Sequence, residues 1–111
     1  MPKDFVKVVR TDDLLPGQMK YIRLDLEKIL VVNMDGVYYA VSNVCTCAYA
    51  PLSSGKLMGD QVYCTPHGSI FNVKTGKVVR SPARRNLTVY QVKVEGDDVL
   101  IGPPAPDLPA A

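Results

Sequence analysis

Hydrophobic positions along this chain recur every second residue or in short blocks, and turn residues separate the blocks. Residues 5–10 (FVKVVR) nearly alternate, Pro16 and Gly17 mark a turn, and 19–25 (MKYIRLD) read as a strand. Over 28–43, KILVVNMDGVYYAVSN joins two β-rich apolar runs at Asp35 and Gly36, a tight-hairpin dipeptide. LMGDQVYC (57–64) sets a Gly-Asp turn before a short strand that ends at Cys64. SIFNVKTGKVV (69–79) turns at Thr75 and Gly76, and LTVYQVKVEGDDVLIG (87–102) alternates before turning at 95–98. No stretch of helical period and useful length interrupts them. The pattern predicts six to nine short strands and no helix, an all-β antiparallel sandwich or barrel.

The rhythm breaks over 43–72, which holds three of the eight glycines and reads as a subdomain inserted between hairpins. The 111 residues are one domain by length, able to bury roughly two-thirds of the unfolded chain's surface. The organisation predicted is a domain over 1–102, with its inserted subdomain at about 43–82, and a tail at 103–111. That tail belongs to GPPAPDLPAA, which has four prolines and no period, and is expected to be extended and poorly ordered.

The interrupting stretch also holds every cysteine and the one histidine: Cys45-x-Cys47, sixteen residues, then Cys64-x-x-His67. Three cysteines cannot all pair internally, and Cys45 and Cys47 are too close in sequence for a relaxed bridge. Thiolate and imidazole together are the donors of zinc sites and iron–sulfur centres. One intervening residue makes it awkward for Cys45 and Cys47 to chelate a single ion. Two metals a few ångströms apart suit the spacing better, each taking one donor from each pair. A mononuclear Zn or Fe site with three Cys and one His stays open at this point, as does simple burial of the cysteines as small hydrophobes.

These residues and their surroundings resemble the Rieske [2Fe–2S] family, whose two loops read Cys-x-His and Cys-x-x-His. YAPLSSGKL after the first pair and HGSIFNVKTGKVV after the second match it, and SPA (81–83) is similar to the proline loop that shields the cluster. The resemblance covers residues 5–102 and is most specific over 43–82. Small soluble Rieske ferredoxins, archaeal ones included, are the nearest type. A Rieske-like module that has lost its ligands, as in the small subunits of some nitrite reductases, is a further alternative that four retained donors disfavour.

The resemblance implies that Cys45 and Cys64 bind an inner iron, and that position 47 and His67 bind an outer iron near the surface. Cys47 departs from the pattern, since the family has histidine there, so the chain reads as a His→Cys ligand variant. Its three-Cys, one-His set is similar to that of NEET proteins, which have another fold. A thiolate adds one negative charge relative to imidazole and disfavours reduction, so a potential of about −400 to −150 mV is expected. Ala50 and Pro66 stand where high-potential members carry a disulfide. Ser69 keeps a hydroxyl that the family uses near the sulfurs, while Phe71 lacks one. His67 is then the only ligand titrating near neutral pH, and the potential is expected to fall as pH rises above its pKa. Gly55, Gly59 and Gly68 serve tight turns, Pro51, Leu52 and Pro82 an apolar lid, and Tyr38 and Tyr39 packing.

Composition narrows the function. With 47% hydrophobic and 22% charged residues and a net charge of +2, the chain gives no argument for nucleic acid or a membrane surface. No apolar run reaches the about 18 residues of a membrane helix, and 1–13 lack a signal core. A cytoplasmic monomer is expected. It would carry one electron on a [2Fe–2S] cluster and give it to a redox partner, a reductase or an oxygenase, without being an enzyme itself. Arg80, Arg84 and Arg85 flank the proline loop, where a solvated face or a docking surface for an acidic partner would lie.

Overall fold

The computed structural model describes residues 5–46, 51–64, 68–80, 83 and 85–105. The strands are β1 (Val6–Arg10), β2 (Met19–Leu24), β3 (Glu27–Met34), β4 (Val37–Ser42) and β5 (Lys56–Met58). They continue as β6 (Gln61–Tyr63), β7 (Ile70–Asn72), β8 (Val78–Arg80), β9 (Val89–Glu95) and β10 (Asp98–Pro104). Short 3-10 turns lie at Thr11–Asp13 and Leu52–Ser54, and no α-helix occurs among the described residues. The expected count of six to nine falls short because β5 lies just ahead of the Gly59–Asp60 turn and is only three residues long. All pairings are antiparallel, in a six-stranded sheet ordered β1-β10-β9-β4-β3-β2 and a four-stranded sheet ordered β5-β6-β7-β8.

Strand β3 organises both cores. Ile29, Leu30, Val31 and Val32 are all fully buried, so this strand is covered on both faces. Successive side chains point to opposite faces. Leu30 and Val32 therefore join Val41, Val62, Phe71 and the two cysteines, while Ile29 and Val31 join Ala40, Tyr90, Val99 and Ile101. The first core glues the four-stranded sheet to the six-stranded one; the second fills the curl of the six-stranded sheet.

Turn chemistry fixes the register. Asp35 and Gly36 both have positive φ, 52° and 92°, as the hairpin between β3 and β4 requires. The hairpin between β2 and β3 turns at Asp25, with φ 54°, although no glycine announces it. The loop after β1 is pinned from below: buried Asn33 donates from Nδ2 to the Leu14 carbonyl at 2.8 Å, and its Oδ1 accepts the Gly36 N–H at 2.8 Å. The Tyr38 hydroxyl lies 3.2 Å from the Thr11 and Leu14 carbonyl oxygens. Tyr38 is thus a tether as well as a packing residue.

In the smaller sheet one cross-strand row, Leu57, Val62, Phe71 and Val78, faces the core. The neighbouring row, Lys56, Tyr63, Ile70 and Arg80, faces outward. A bulge between β7 and β8 leaves Val79 as the extra residue, and it is half exposed beside Arg80. Strand β10 runs to Pro104, and the Ala105 N–H reaches the Val89 carbonyl at 2.7 Å. The stretch expected as a loose tail therefore begins inside the sheet, where a register shift between Ile101 and Pro104 accommodates prolines that lack an N–H. Residues 106–111 lie outside the described residues.

Candidate metal centre

Two loops leave the strand ends on the same side of the first core. The first starts beyond β4 and reaches Cys45; the second starts beyond β6 with Cys64. Cys45 is fully buried and Cys64 nearly so, and both belong to the core that holds Leu52, Val62 and Phe71. Cys64 and Ser69 extend the inward alternation of β6 and β7 past the strand ends, which explains why both are buried. Cys47, His67 and Pro82 lie outside the described residues. Among the described residues, accordingly, no group of three donors is assembled.

Each loop is closed by its own hydrogen bonds. In the first, buried Asn43 staples the two ends together. Its carbonyl accepts the Leu52 N–H at 2.7 Å and its Oδ1 accepts the Ser53 N–H at 2.8 Å. Val44 and Pro51 form an isolated bridge across the same neck. In the second loop, the Cys64 N–H donates to the Ser69 carbonyl and the Gly68 N–H to the Cys64 carbonyl, both at 2.8 Å. Gly68 has φ 79°, so the left-handed conformation that closes the loop falls on a residue without a Cβ. Gly55 is required by proximity: a Cβ there would run into the Tyr63 carbonyl oxygen. Gly59, at φ 60°, only turns the chain.

Ala83 and Arg85, which follow β8, are each hydrogen-bonded to one of the loops. The Ala83 N–H donates to the Ser69 Oγ at 3.0 Å, a buried bond. The Thr46 Oγ1 donates to the Arg85 carbonyl at 2.8 Å. Thr46 is the residue between Cys45 and Cys47, so one strap holds the first loop at its donor pair. Phe71 is fully buried, consistent with packing; Leu52 packs beside it, while Pro51 is exposed. Arg80 and Arg85 are exposed, and Arg84 lies outside the described residues. Asn43 and Thr46 were not singled out by the sequence. An Asn just after a strand and a Thr between two cysteines carry no local pattern that announces a staple or a strap.

Two buried cysteine sulfurs in an apolar core, each at the root of a hydrogen-bonded loop, form a soft donor pair that suits iron and sulfide. Comparison with known proteins agrees. The Rieske [2Fe–2S] domain family matches residues 4–91, which span both loops and the strap.

This chain belongs to the Rieske [2Fe–2S] family. It is 42% identical over 95 residues to the ferredoxin component of biphenyl 2,3-dioxygenase from Rhodococcus jostii (strain RHA1), covering 86% of this chain and 89% of that one. It is 31% identical over 101 residues to the ferredoxin component of the naphthalene 1,2-dioxygenase system of Pseudomonas putida, covering 91% and 97%. The ferredoxin of carbazole 1,9a-dioxygenase from Nocardioides aromaticivorans IC177 superposes with a TM-score of 0.85 at 31% identity, over 89% and 97% of the two chains. The Rieske fold expected from the loops is thus present, and with it the cofactor, a [2Fe–2S] cluster. The chain is an electron carrier and not itself a catalyst. No helix among the described residues is long and apolar enough to cross a membrane.

Proposed function

We propose that this Rieske protein is the ferredoxin component of an oxygenase system, taking single electrons from a reductase and passing them to an oxygenase. The observation that carries the reading is the pair of buried cysteines, Cys45 and Cys64, at the roots of two strapped loops, in a chain 42% identical to such a component. When bound, the cluster supplies one-electron redox chemistry, with no substrate bond made or broken on this chain. Cys45 and Cys64 hold the inner iron, and Cys47 and His67 the outer one. Asn43 fixes the neck of the first loop, and the Thr46 and Ser69 hydrogen bonds tie Arg85 and Ala83 to the two cysteine loops.

Cys47 is proposed as a thiolate standing where the family has histidine, which keeps the centre at low potential. The domain continues past residue 102 to the end of β10 at Pro104, its cluster-binding part lies at about 43–82, and the protein works as a cytoplasmic monomer. The relatives named above are bacterial, so an archaeal likeness draws no support from them.

Iron, zinc and sulfide analysis with EPR of the reduced protein tests the ligand set, because g-values respond to nitrogen against sulfur donors. Equal iron and labile sulfide with g-values shifted from the two-His pattern is the expected result. A single zinc or iron without sulfide overturns it. Reconstitution with the reductase and oxygenase of the Rhodococcus jostii biphenyl system tests the partners, and product formation dependent on this chain is expected.

A further inference from the structure

Charge is divided unevenly over the molecule. Over 43–88, six of the seven charged residues are cationic, Asp60 being the exception. At the opposite end of the six-stranded sheet, the acids Asp12, Asp13, Asp35, Glu95, Asp97 and Asp98 outnumber the cations paired with them, Lys7, Arg10 and Lys93. The ion pairs among the described residues all lie on β1, β9 and β10 and the turns beside them: Lys7 with Asp98, Arg10 with Asp12 and Asp97, and Lys93 with Glu95. Lys56, Arg80 and Arg85 take part in none of them.

These cations are placed with respect to the ligand loops. Lys56 and Arg80 are the two ends of the outward row that also contains Tyr63 and Ile70. Tyr63 immediately precedes Cys64, and Ile70 immediately follows Ser69, so the row borders the second loop along its whole width, about 14 Å at strand spacing. The Tyr63 hydroxyl leans over Gly68, 3.6 Å from where a Cβ would stand. The bulge adds half-exposed Val79 next to Arg80. Arg85 carries the carbonyl that receives the Thr46 strap, at the edge of the first loop. Aromatic and aliphatic contact area framed by unpaired cations at both edges is the composition of a protein-binding surface for an anionic partner.

We propose that the outer face of the four-stranded sheet, Lys56, Tyr63, Ile70, Val79 and Arg80 with Arg85 at its border, docks an acidic surface on the redox partner. The inference rests on the electron-carrier reading above and adds the site and sign of the encounter. The acidic far end repels the same partner surface, so the two ends together orient the approach and present the ligand loops first.

The test is electron exchange of the holoprotein at gold coated with a carboxylate-terminated or a quaternary-ammonium-terminated monolayer, read by voltammetry. The carboxylate surface stands in for the acidic partner. Wild type is expected to exchange about tenfold faster on carboxylate than on ammonium at low salt. The advantage is expected to disappear as the screening length shrinks from about 30 Å at 0.01 M to about 3 Å at 1 M. K56E/R80E is expected to lose the advantage, while K7E/K93E, with the same change in net charge at a distance, keeps it. Equal exchange on both surfaces by a coloured wild-type protein overturns the docking face alone, as does K56E/R80E behaving like K7E/K93E. Wild type lacking visible absorption overturns the electron-carrier reading and the docking face with it.

Discussion

At the scale of single residues, the proposed ligation by Cys47 makes position 47 the one that sets the electronics. Cys47→His replaces a negative ligand with a neutral one, and protein-film voltammetry is expected to show a rise into the range of about −150 to +300 mV of two-His centres. An unchanged potential removes position 47 from the ligand set. Ser69 acts through structure. Its Oγ receives the buried Ala83 N–H, so Ser69→Ala strands that donor and is expected to lower stability to urea by about 1–3 kcal/mol. Tyr90 supplies a pH signature. Burial, then the Glu27 charge and a hydrogen bond to Glu27, push its phenol up to about 12. The unfolded chain ionises Tyr90 near pH 10 and the folded one resists, so this stabilisation is full below about pH 10 and is lost as pH rises towards 12. Tyr90→Phe is expected to flatten that part of the stability curve in pH-dependent urea melts. Cys45 and Cys64, which the structure buries in one core, stood out in the sequence because Cys is rare and carries its own chemistry. The roles of Asn43 and Thr46 were not legible, because hydrogen bonds to partners 10 and 39 residues away leave no local mark.

At the scale of elements, hairpins declared themselves where glycine stood in the turn, as at Gly36, Gly76 and Gly96, all with positive φ. The turn at Asp25 and the short β5 did not, since one uses a non-glycine residue in the left-handed region and the other is too brief to show a period. Glycines differ in consequence. Gly36 has open space around it, so Gly36→Ala is expected to cost about 1–2 kcal/mol of backbone strain. Gly55→Ala drives a methyl group into the Tyr63 carbonyl, backbone against backbone, and is expected to cost about 3 kcal/mol or more and to lower cluster occupancy. Thermal melts followed in the far ultraviolet and at the cluster's visible bands separate the two variants.

For the whole molecule, two cores meet at β3 and only one contains Cys45 and Cys64. Removing iron is therefore expected to loosen the smaller sheet first. Amides of β6 and β7 are expected to exchange with solvent faster in the apoprotein while those of β9 and β10 keep their protection, as hydrogen exchange read by NMR shows. Uniform loss of protection in both sheets contradicts the division into two cores. The all-β class followed from the strand rhythm, but the split of ten strands into six and four did not. Strand order is a property of non-local pairing, and a period of two is the same on either side of it.

One such pairing reaches further than stability. Val6 lies opposite Ile101 and Arg10 opposite Asp98, so the first strand closes only against the last. During synthesis, then, β1 waits for β10 to leave the ribosome before its hydrogen-bonding edge is covered. Until that moment the nascent chain carries an open β-edge, exposed to pairing with a strand other than its own.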